Sequence, residues 1–488
     1  MQAVVGWKQA KVEKIFRFLE NNRRRDFIDD AGIESLISKK FTYDKDRAFA
    51  ILSKARELKG LNQEEAAYLL AQDNPGFWEA AFDAAMAVKQ GVYGNRIVLF
   101  APVYMSAGCV NDCLYCAFRS SNSGVSREIM NHDRIASNIK ALTAAGHKRI
   151  LAVYAEGPGS DADYIAETMR TVYSVKNGHD EIRRVNVNAA PMFEEEYKTI
   201  KSAGIGTFQV FQETYKREFF EKVHGKGNIK SIYDWRLFAL HRAQEAGISD
   251  VAIGALFGLY NWKYEVLALL AHSADMDREF GVGSHTISFP RLEPALNTPF
   301  ASNSPYRVSD GDMRRIVAVL RLAVPYTGLI LTAREEPSFR RELIKLGVSQ
   351  TDAGTNIAIG GYSSGAADNS RSQFEISDTR SLDGFIEELV DDGYIPSFCT
   401  ADYRCGRVGC DFMNLAKSGR IKKLCMPNAV LTFKEYLLDY ASPRVRQKGD
   451  ALLMKYVEDI KKSYSADMAR QLETDLERTQ AGKRDIYY

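Results

Sequence analysis

From residue 97 the chain repeats one pattern eight times, a short apolar run followed by an amphipathic stretch. The runs lie at 97–104, 150–154, 185–189, 207–211, 251–257, 286–289, 329–332 and 356–359. Apolar residues at helical spacing fill 133–145, 162–175, 193–203 and 234–246 between them. Three of these helices end in Ala-Gly, at Gly146, Gly204 and Gly247, where glycine suits the left-handed position that stops a helix before the next strand. Strand–helix units in series build a parallel sheet, and eight of them close it into a (βα)8 barrel of the TIM type, an α/β fold. The eighth run carries the weakest pattern. Such a barrel holds its active site at the C-terminal ends of the strands, so the loops after the apolar runs are where chemistry is expected.

The flanks read differently. Residues 1–90 are charged and helical in pattern, with Asn62 placed to cap a helix that starts at Gln63. From 363 a polar Gly/Ser-rich stretch reads as a surface loop, and the chain ends in charged helices at 450–463 and 466–480. The expected organisation is a helical extension at 1–90, a barrel at 91–362 and a separate C-terminal segment at 363–488. A net charge of +2 argues neither for nor against a charged partner, and no nucleic-acid partner is expected. The apolar run at 97–105 is far short of the roughly 20 residues a membrane span needs. The first eight residues lack a basic-then-apolar leader, so a cytoplasmic protein without a membrane partner is expected.

The loop after the first run holds Cys109, Cys113 and Cys116, spaced Cys-x3-Cys-x2-Cys, with Tyr115 before the last thiol. Three thiolates on one loop can hold three irons of a 4Fe–4S cluster and leave the fourth open to a small molecule. Zinc would want a fourth ligand, and no His or Cys follows closely. Buried thiols would sit in apolar surroundings, whereas Gly108, Asn111 and Asp112 read as a loop. The other four of the seven cysteines fall at 399–425, which reads as a second metal site in a reducing compartment and not as a disulfide framework.

This motif is similar to that of the radical S-adenosylmethionine (SAM) superfamily. Longer stretches resemble its aromatic amino-acid lyases, and among them the tyrosine lyases of FeFe-hydrogenase H-cluster maturation. They include Asn186-Val-Asn-Ala-Ala-Pro191, Gln209-Val-Phe-Gln-Glu-Thr-Tyr215, His285-Thr-Ile-Ser-Phe-Pro-Arg291 and Gly393-Tyr-Ile-Pro-Ser-Phe-Cys-Thr400. The likeness runs from about residue 30 to the C-terminal segment, which favours that branch over the shorter thiazole-pathway lyases.

The resemblance implies a radical SAM barrel whose 4Fe–4S cluster binds SAM beside Tyr115. Glu156 resembles the acid that helps hold SAM's amino group, although Ala155 stands where the family has glycine. Glu213 resembles the acid that takes the ribose hydroxyls, and Arg236 the partner of SAM's carboxylate. Arg334 resembles the arginine that clamps the substrate's α-carboxylate; the plain alternative is a surface pair with Glu335 or Glu336. His285 is either a satisfied core histidine or a ligand to an extra iron.

In these lyases the C-terminal segment carries Cys-x2-Cys-x22-Cys for an auxiliary iron–sulfur cluster. Here the corresponding positions are Cys399, Asp402 and Cys425, so the middle thiolate is missing. Cys405 or Cys410 replaces it, or Asp402 itself ligates iron, or the second cluster is absent or altered. The reaction implied is cleavage of L-tyrosine to p-cresol and dehydroglycine, with onward formation of CO and cyanide on iron. Ferredoxin or flavodoxin as electron donor, and hydrogenase-maturation partners, belong to the same expectation. The alternatives are a tyrosine lyase of 2-iminoacetate-synthase type that stops at dehydroglycine, and a non-catalytic iron–sulfur scaffold.

Overall fold

A computed structural model describes residues 2–365 and 369–488 of the chain. Eight parallel strands form a ring: β1 (Arg96–Tyr104), β2 (Arg149–Val153), β3 (Arg184–Asn188), β4 (Phe208–Gln209), β5 (Val251–Gly254), β6 (Thr286–Ser288), β7 (Gly328–Leu331) and β8 (Gln350–Asp352). The ring closes where β8 pairs with β1, with Val98 beside Gln350 and Phe100 beside Asp352. Most strands are buried throughout, as a sheet covered on both faces requires. The barrel expected from the alternating pattern is therefore present, and Gly146, Gly204 and Gly247 have positive φ at the ends of their helices.

The eighth strand departs from the sequence expectation. It is Gln350–Asp352, not 356–359. A Gln-Thr-Asp strand carries no apolar signal, because its burial is made tolerable by a charge. Arg340, on the helix Pro337–Leu346, reaches in to Thr351 Oγ1 at 2.6 Å and to Asp352 Oδ1 at 3.2 Å. A buried polar strand costs several kcal/mol unless its groups are paired in this way. The apolar 357–359 stretch is instead a buried loop over the barrel's C-terminal end. The helix expected over 234–246 is also broken, into Tyr233–Leu237 and Ala239–Glu245. At the break Arg242 donates to the Trp235 carbonyl at 2.6 Å, taking an acceptor the helical ladder would use.

Five helices precede the barrel: α1 (Gln2–Asn21), α2 (Asp30–Ser38), α3 (Lys45–Arg56), α4 (Gln63–Leu70) and α5 (Pro75–Tyr93). The Asn62 cap forms, as a capping box with Glu65. Ile15 of α1 is fully buried in a small apolar cluster with Val110, Phe193, Ile229 and Trp235, apart from the main core. Val110 lies between two of the loop cysteines, so α1 packs directly on the cysteine loop.

The Gly/Ser-rich stretch is interrupted, because residues 366–368 lie outside the described residues. Beyond it the chain returns to the barrel. A ninth strand, β9 (Ile395–Ser397), pairs in parallel with the first three residues of β1. Val98 is already paired with β8 on one edge, so β9 lies on the other edge, which β1 shares with β2 further along. The helices Ala401–Arg404, Gly409–Lys417, Arg420–Asp439, Pro443–Ser463 and Ala466–Gln480 follow. Among the described residues no helix is long and apolar enough to cross a membrane.

Candidate active site and a second cavity

The loop after β1 is held by its own backbone and by one cation. Val110 N–H donates to the Glu156 carbonyl at 2.8 Å, and Leu114 N–H to the Val223 carbonyl at 2.9 Å. The Arg127 guanidinium donates to the carbonyls of Cys109, Phe118, Arg119 and Asn122 at 2.6–3.2 Å. Together these turn Cys109, Cys113 and Cys116 onto one cavity of about 190 Å³ at the C-terminal ends of the strands.

Burial pushes all three thiols up, so in metal-free protein they are protonated. Metal loading must therefore release protons. Among the described residues no three His, Cys, Asp or Glu side chains gather as ligands of a single ion. The three thiols line one cavity, and three thiols on one wall fit the face of a cluster. Asn111 Nδ2 and Gln373 Nε2 approach the sulfurs of Cys109 and Cys116 at 3.8 and 3.4 Å, as donors tuning a thiolate would.

The same cavity holds Tyr115, Glu156, Glu213, Arg236 and Arg334. Glu156 Oε2 accepts from Asn111 at 2.6 Å, while Oε1 is buried without a hydrogen bond and faces Lys11 of α1 at 3.9 Å. Glu213 follows β4 with φ +70°, a left-handed conformation rare outside glycine and often kept where a side chain must be aimed. Burial works against its carboxylate, but Lys230 at 2.7 Å and Arg236 at 3.5 Å outweigh it and hold the group below the usual range. Arg236 spends its Nε on the Phe211 carbonyl at 2.6 Å. The Tyr115 hydroxyl meets His224 Nε2 at 2.9 Å, and burial keeps that histidine neutral.

Arg334 lies across the cavity from this group. Its guanidinium sits 3.3 Å from the Phe374 ring centroid, and its Nε is buried without a partner. The surface pair does not form with Glu335, which is buried and pairs with Arg291.

His285 is elsewhere. It precedes β6 and faces the opposite, N-terminal end of the barrel. There a cavity of about 40 Å³ is lined by Arg96, Arg149, His285, Cys399, Asp402 and Tyr403, among others. Cys425 is buried beside it, its sulfur 3.9 Å from Asp402 Oδ2. Burial raises Cys399 to about 11 and pushes Cys425 up as well. His285 Nε2 is 3.4 Å from the Tyr403 hydroxyl and Nδ1 is 3.4 Å from Asp250. Cys405 and Cys410 are exposed and do not line the cavity; Cys410 donates to the Phe280 carbonyl at 3.4 Å. The structure thus groups Cys399, Asp402, Cys425 and His285, and leaves Cys405 and Cys410 out.

Several site residues carry no local signal. Lys230, Gln373 and Phe374 reach the upper cavity from short segments without periodicity, and Arg127 holds the cysteine loop by its carbonyls. Arg96 and Arg149 stand one residue before the apolar runs at 97 and 150 and carry no signal of their own. Asn111 alone was findable, as a polar residue inside the cysteine motif.

Residues 103–271 match the Radical SAM superfamily, and 288–395 match the Biotin and Thiamin Synthesis associated domain. A crystal structure of HydG, described as a maturase of the FeFe-hydrogenase, is 43% identical. The match covers 95% of this chain and all of that one, with a TM-score of 0.91. HydG from Carboxydothermus hydrogenoformans is 38% identical over 91% of this chain and 97% of its own, with a TM-score of 0.79. The 2-iminoacetate synthase of Escherichia coli (strain K12) is 27% identical over 363 residues, 73% of this chain and 92% of that protein.

Proposed function

Since the chain belongs to the HydG family of radical SAM enzymes, we propose that it cleaves L-tyrosine between Cα and Cβ, giving p-cresol and dehydroglycine. On the same reading, dehydroglycine is converted onward to CO and cyanide at a second iron–sulfur site near Cys399. The observation that carries the reading is one cavity holding three thiols, an ionised Glu213 and an Arg334 with no ion-pair partner among the described residues.

A reduced cluster held by these thiolates would supply the one electron that breaks the C5′–S bond of bound SAM, giving methionine and a 5′-deoxyadenosyl radical able to abstract hydrogen. The chain's own residues decide which hydrogen is nearest. Cys109, Cys113 and Cys116 would hold three irons. Glu156, whose Oε1 accepts no hydrogen bond and has only Lys11 at 3.9 Å, is placed to accept from an ammonium. Glu213 is a fixed acceptor for a pair of hydroxyls, with Lys230 keeping it ionised. Arg334 offers a forked cation to a carboxylate and braces its own plane on Phe374. Phe100, Phe118, Phe211 and Leu256 add apolar surface to the wall. Ferredoxin or flavodoxin would deliver the electron, and hydrogenase-maturation proteins would receive the product.

A lyase that stops at dehydroglycine is the second reading. It is favoured by Asp402 in place of a cysteine and by the likeness to 2-iminoacetate synthase. Anaerobic turnover of reconstituted protein with SAM, dithionite and tyrosine separates the cases. 5′-Deoxyadenosine with p-cresol, CO and cyanide supports the full reading. p-Cresol without CO or cyanide supports the second. Absence of 5′-deoxyadenosine leaves only a non-catalytic iron–sulfur scaffold.

A further inference from the structure

We propose that Asp402 is the third protein ligand of an iron–sulfur cluster at the N-terminal end of the barrel, alongside Cys399 and Cys425. This rests on the reading above that the C-terminal segment carries such a group.

The carboxylate is already divided between two tasks. Its Oδ1 is 3.2 Å from Arg407 Nε, five residues on, which fixes the plane of the group. Its Oδ2 is turned toward Cys425, 3.9 Å from that sulfur. One oxygen is thus anchored and the other is presented beside a buried thiol, the arrangement of a ligating carboxylate oriented by an outer partner. Asp402 and Cys399 line the same cavity, and Cys399 Sγ accepts from Ala401 N–H at 3.4 Å. The other candidate thiols are turned away. Cys405 and Cys410 are exposed, and neither lines the cavity. Drawing one in would require unwinding the Ala401–Arg404 turn, or breaking the Gly409 N–H bond to Asp250 Oδ1 at 2.9 Å.

The charge of the surroundings agrees. Two thiolates and a carboxylate bring three negative charges into a buried space, which is unfavourable without cations. Arg96, only 8% exposed, lines this cavity with an Nε that has no hydrogen-bond partner. The Arg149 Nε is likewise unpartnered, while its Nη1 donates to the Cys399 carbonyl and so holds that ligand's loop. Unpaired buried guanidinium nitrogens facing two thiols and a carboxylate are what an anionic group in this cavity would satisfy. Arg407 is therefore a positioning residue and Asp402 a ligand. A carboxylate is a harder ligand than thiolate, so this iron should exchange more readily than one held by sulfur.

Iron at this site can be counted alone once the upper triad is removed. In a chain carrying Cys109→Ala, Cys113→Ala and Cys116→Ala, anaerobic reconstitution should leave roughly four irons per chain. Adding Asp402→Ala should lower that count at least two-fold and change the Mössbauer spectrum. Asp402→Cys should keep the count and slow iron loss to a chelator several-fold. Arg407→Met should speed that loss. Cys405→Ser with Cys410→Ser should leave count and spectrum unchanged. Full iron in Asp402→Ala, or loss of iron in the Cys405/Cys410 double variant, would overturn the assignment. No iron in the triad-free chain overturns it too. If unaltered protein still forms 5′-deoxyadenosine, that result removes the second cluster and not the lyase. To guard against misfolding, the Mössbauer comparison is repeated on Asp402→Cys and Asp402→Ala with the triad intact, where a one-iron difference in ligation must still appear.

Discussion

Replacing Arg334 by lysine tests the substrate reading most directly. The arginine is half-buried, stacked on Phe374 at 3.3 Å, with a buried Nε that bonds nothing among the described residues and an Nη1 that reaches the Arg291 carbonyl only at a stretched 3.4 Å. Its hydrogen-bonding capacity is therefore largely uncommitted and available to a carboxylate. A charge-assisted hydrogen bond contributes about 1.5–3 kcal/mol, and lysine can keep one of the two arms but not both. Losing one arm at about 2 kcal/mol corresponds to roughly a 30-fold weaker hold on tyrosine. The flexible ammonium also gives up the stacked plane, so the amino acid tumbles under the radical. Half-maximal p-cresol formation should need about 30-fold more tyrosine, while SAM cleavage persists. The ratio of p-cresol to 5′-deoxyadenosine should fall several-fold, as radicals quench without cleaving substrate. Both are read by liquid chromatography of the same anaerobic reaction. An unchanged tyrosine requirement together with an unchanged ratio would refute the role.

Other perturbations follow from the same geometry. Any one of Cys109→Ala, Cys113→Ala or Cys116→Ala should abolish 5′-deoxyadenosine formation, and wild-type levels in one of them would contradict the cluster reading. Lys230→Met removes a cation that keeps the Glu213 carboxyl low, so that carboxyl's pKa rises. SAM binding, which needs the ionised form, should survive at alkaline pH and fail at a higher pH than in wild type on acidification. A pH series of SAM dissociation constants whose acid limb does not move would reject this. Gly157→Ala would put a Cβ 2.3 Å from the Gly108 carbonyl oxygen, forcing the cysteine loop away from the Glu156 loop. Such overpacking costs about 1–3 kcal/mol. Faster cluster loss to a chelator is expected, and unaltered retention would show that the two loops separate freely.

The parts of this fold visible in sequence are those whose signals are local. The first seven strands declare themselves because each is an apolar run followed by a helical or polar stretch, three of them with a glycine helix end at Gly146, Gly204 and Gly247. β8 does not, since Thr351 and Asp352 are buried by a bond to Arg340 that no window of neighbouring residues contains. The site divides in the same way. Cys109, Cys113 and Cys116 form a motif, whereas Lys230 and Gln373 act on Glu213 and Cys116 from distant loops. At the second cavity the spacing revealed that a thiolate was missing. Only the fold shows that Asp402 has one oxygen held by Arg407 and the other beside Cys425.

β1 spans nine residues, and its two ends belong to different cavities, Arg96 to the lower and Tyr104 to the upper. At about 3.3 Å per residue they are roughly 26 Å apart. Perturbations separated by more than about 10 Å, with no shared partner, combine additively to within a few tenths of a kcal/mol. The free-energy losses of Arg334→Lys and Asp402→Ala should therefore sum in the double variant. Any excess over that sum would measure energetic communication along the barrel, with β1 as the element that links the two ends.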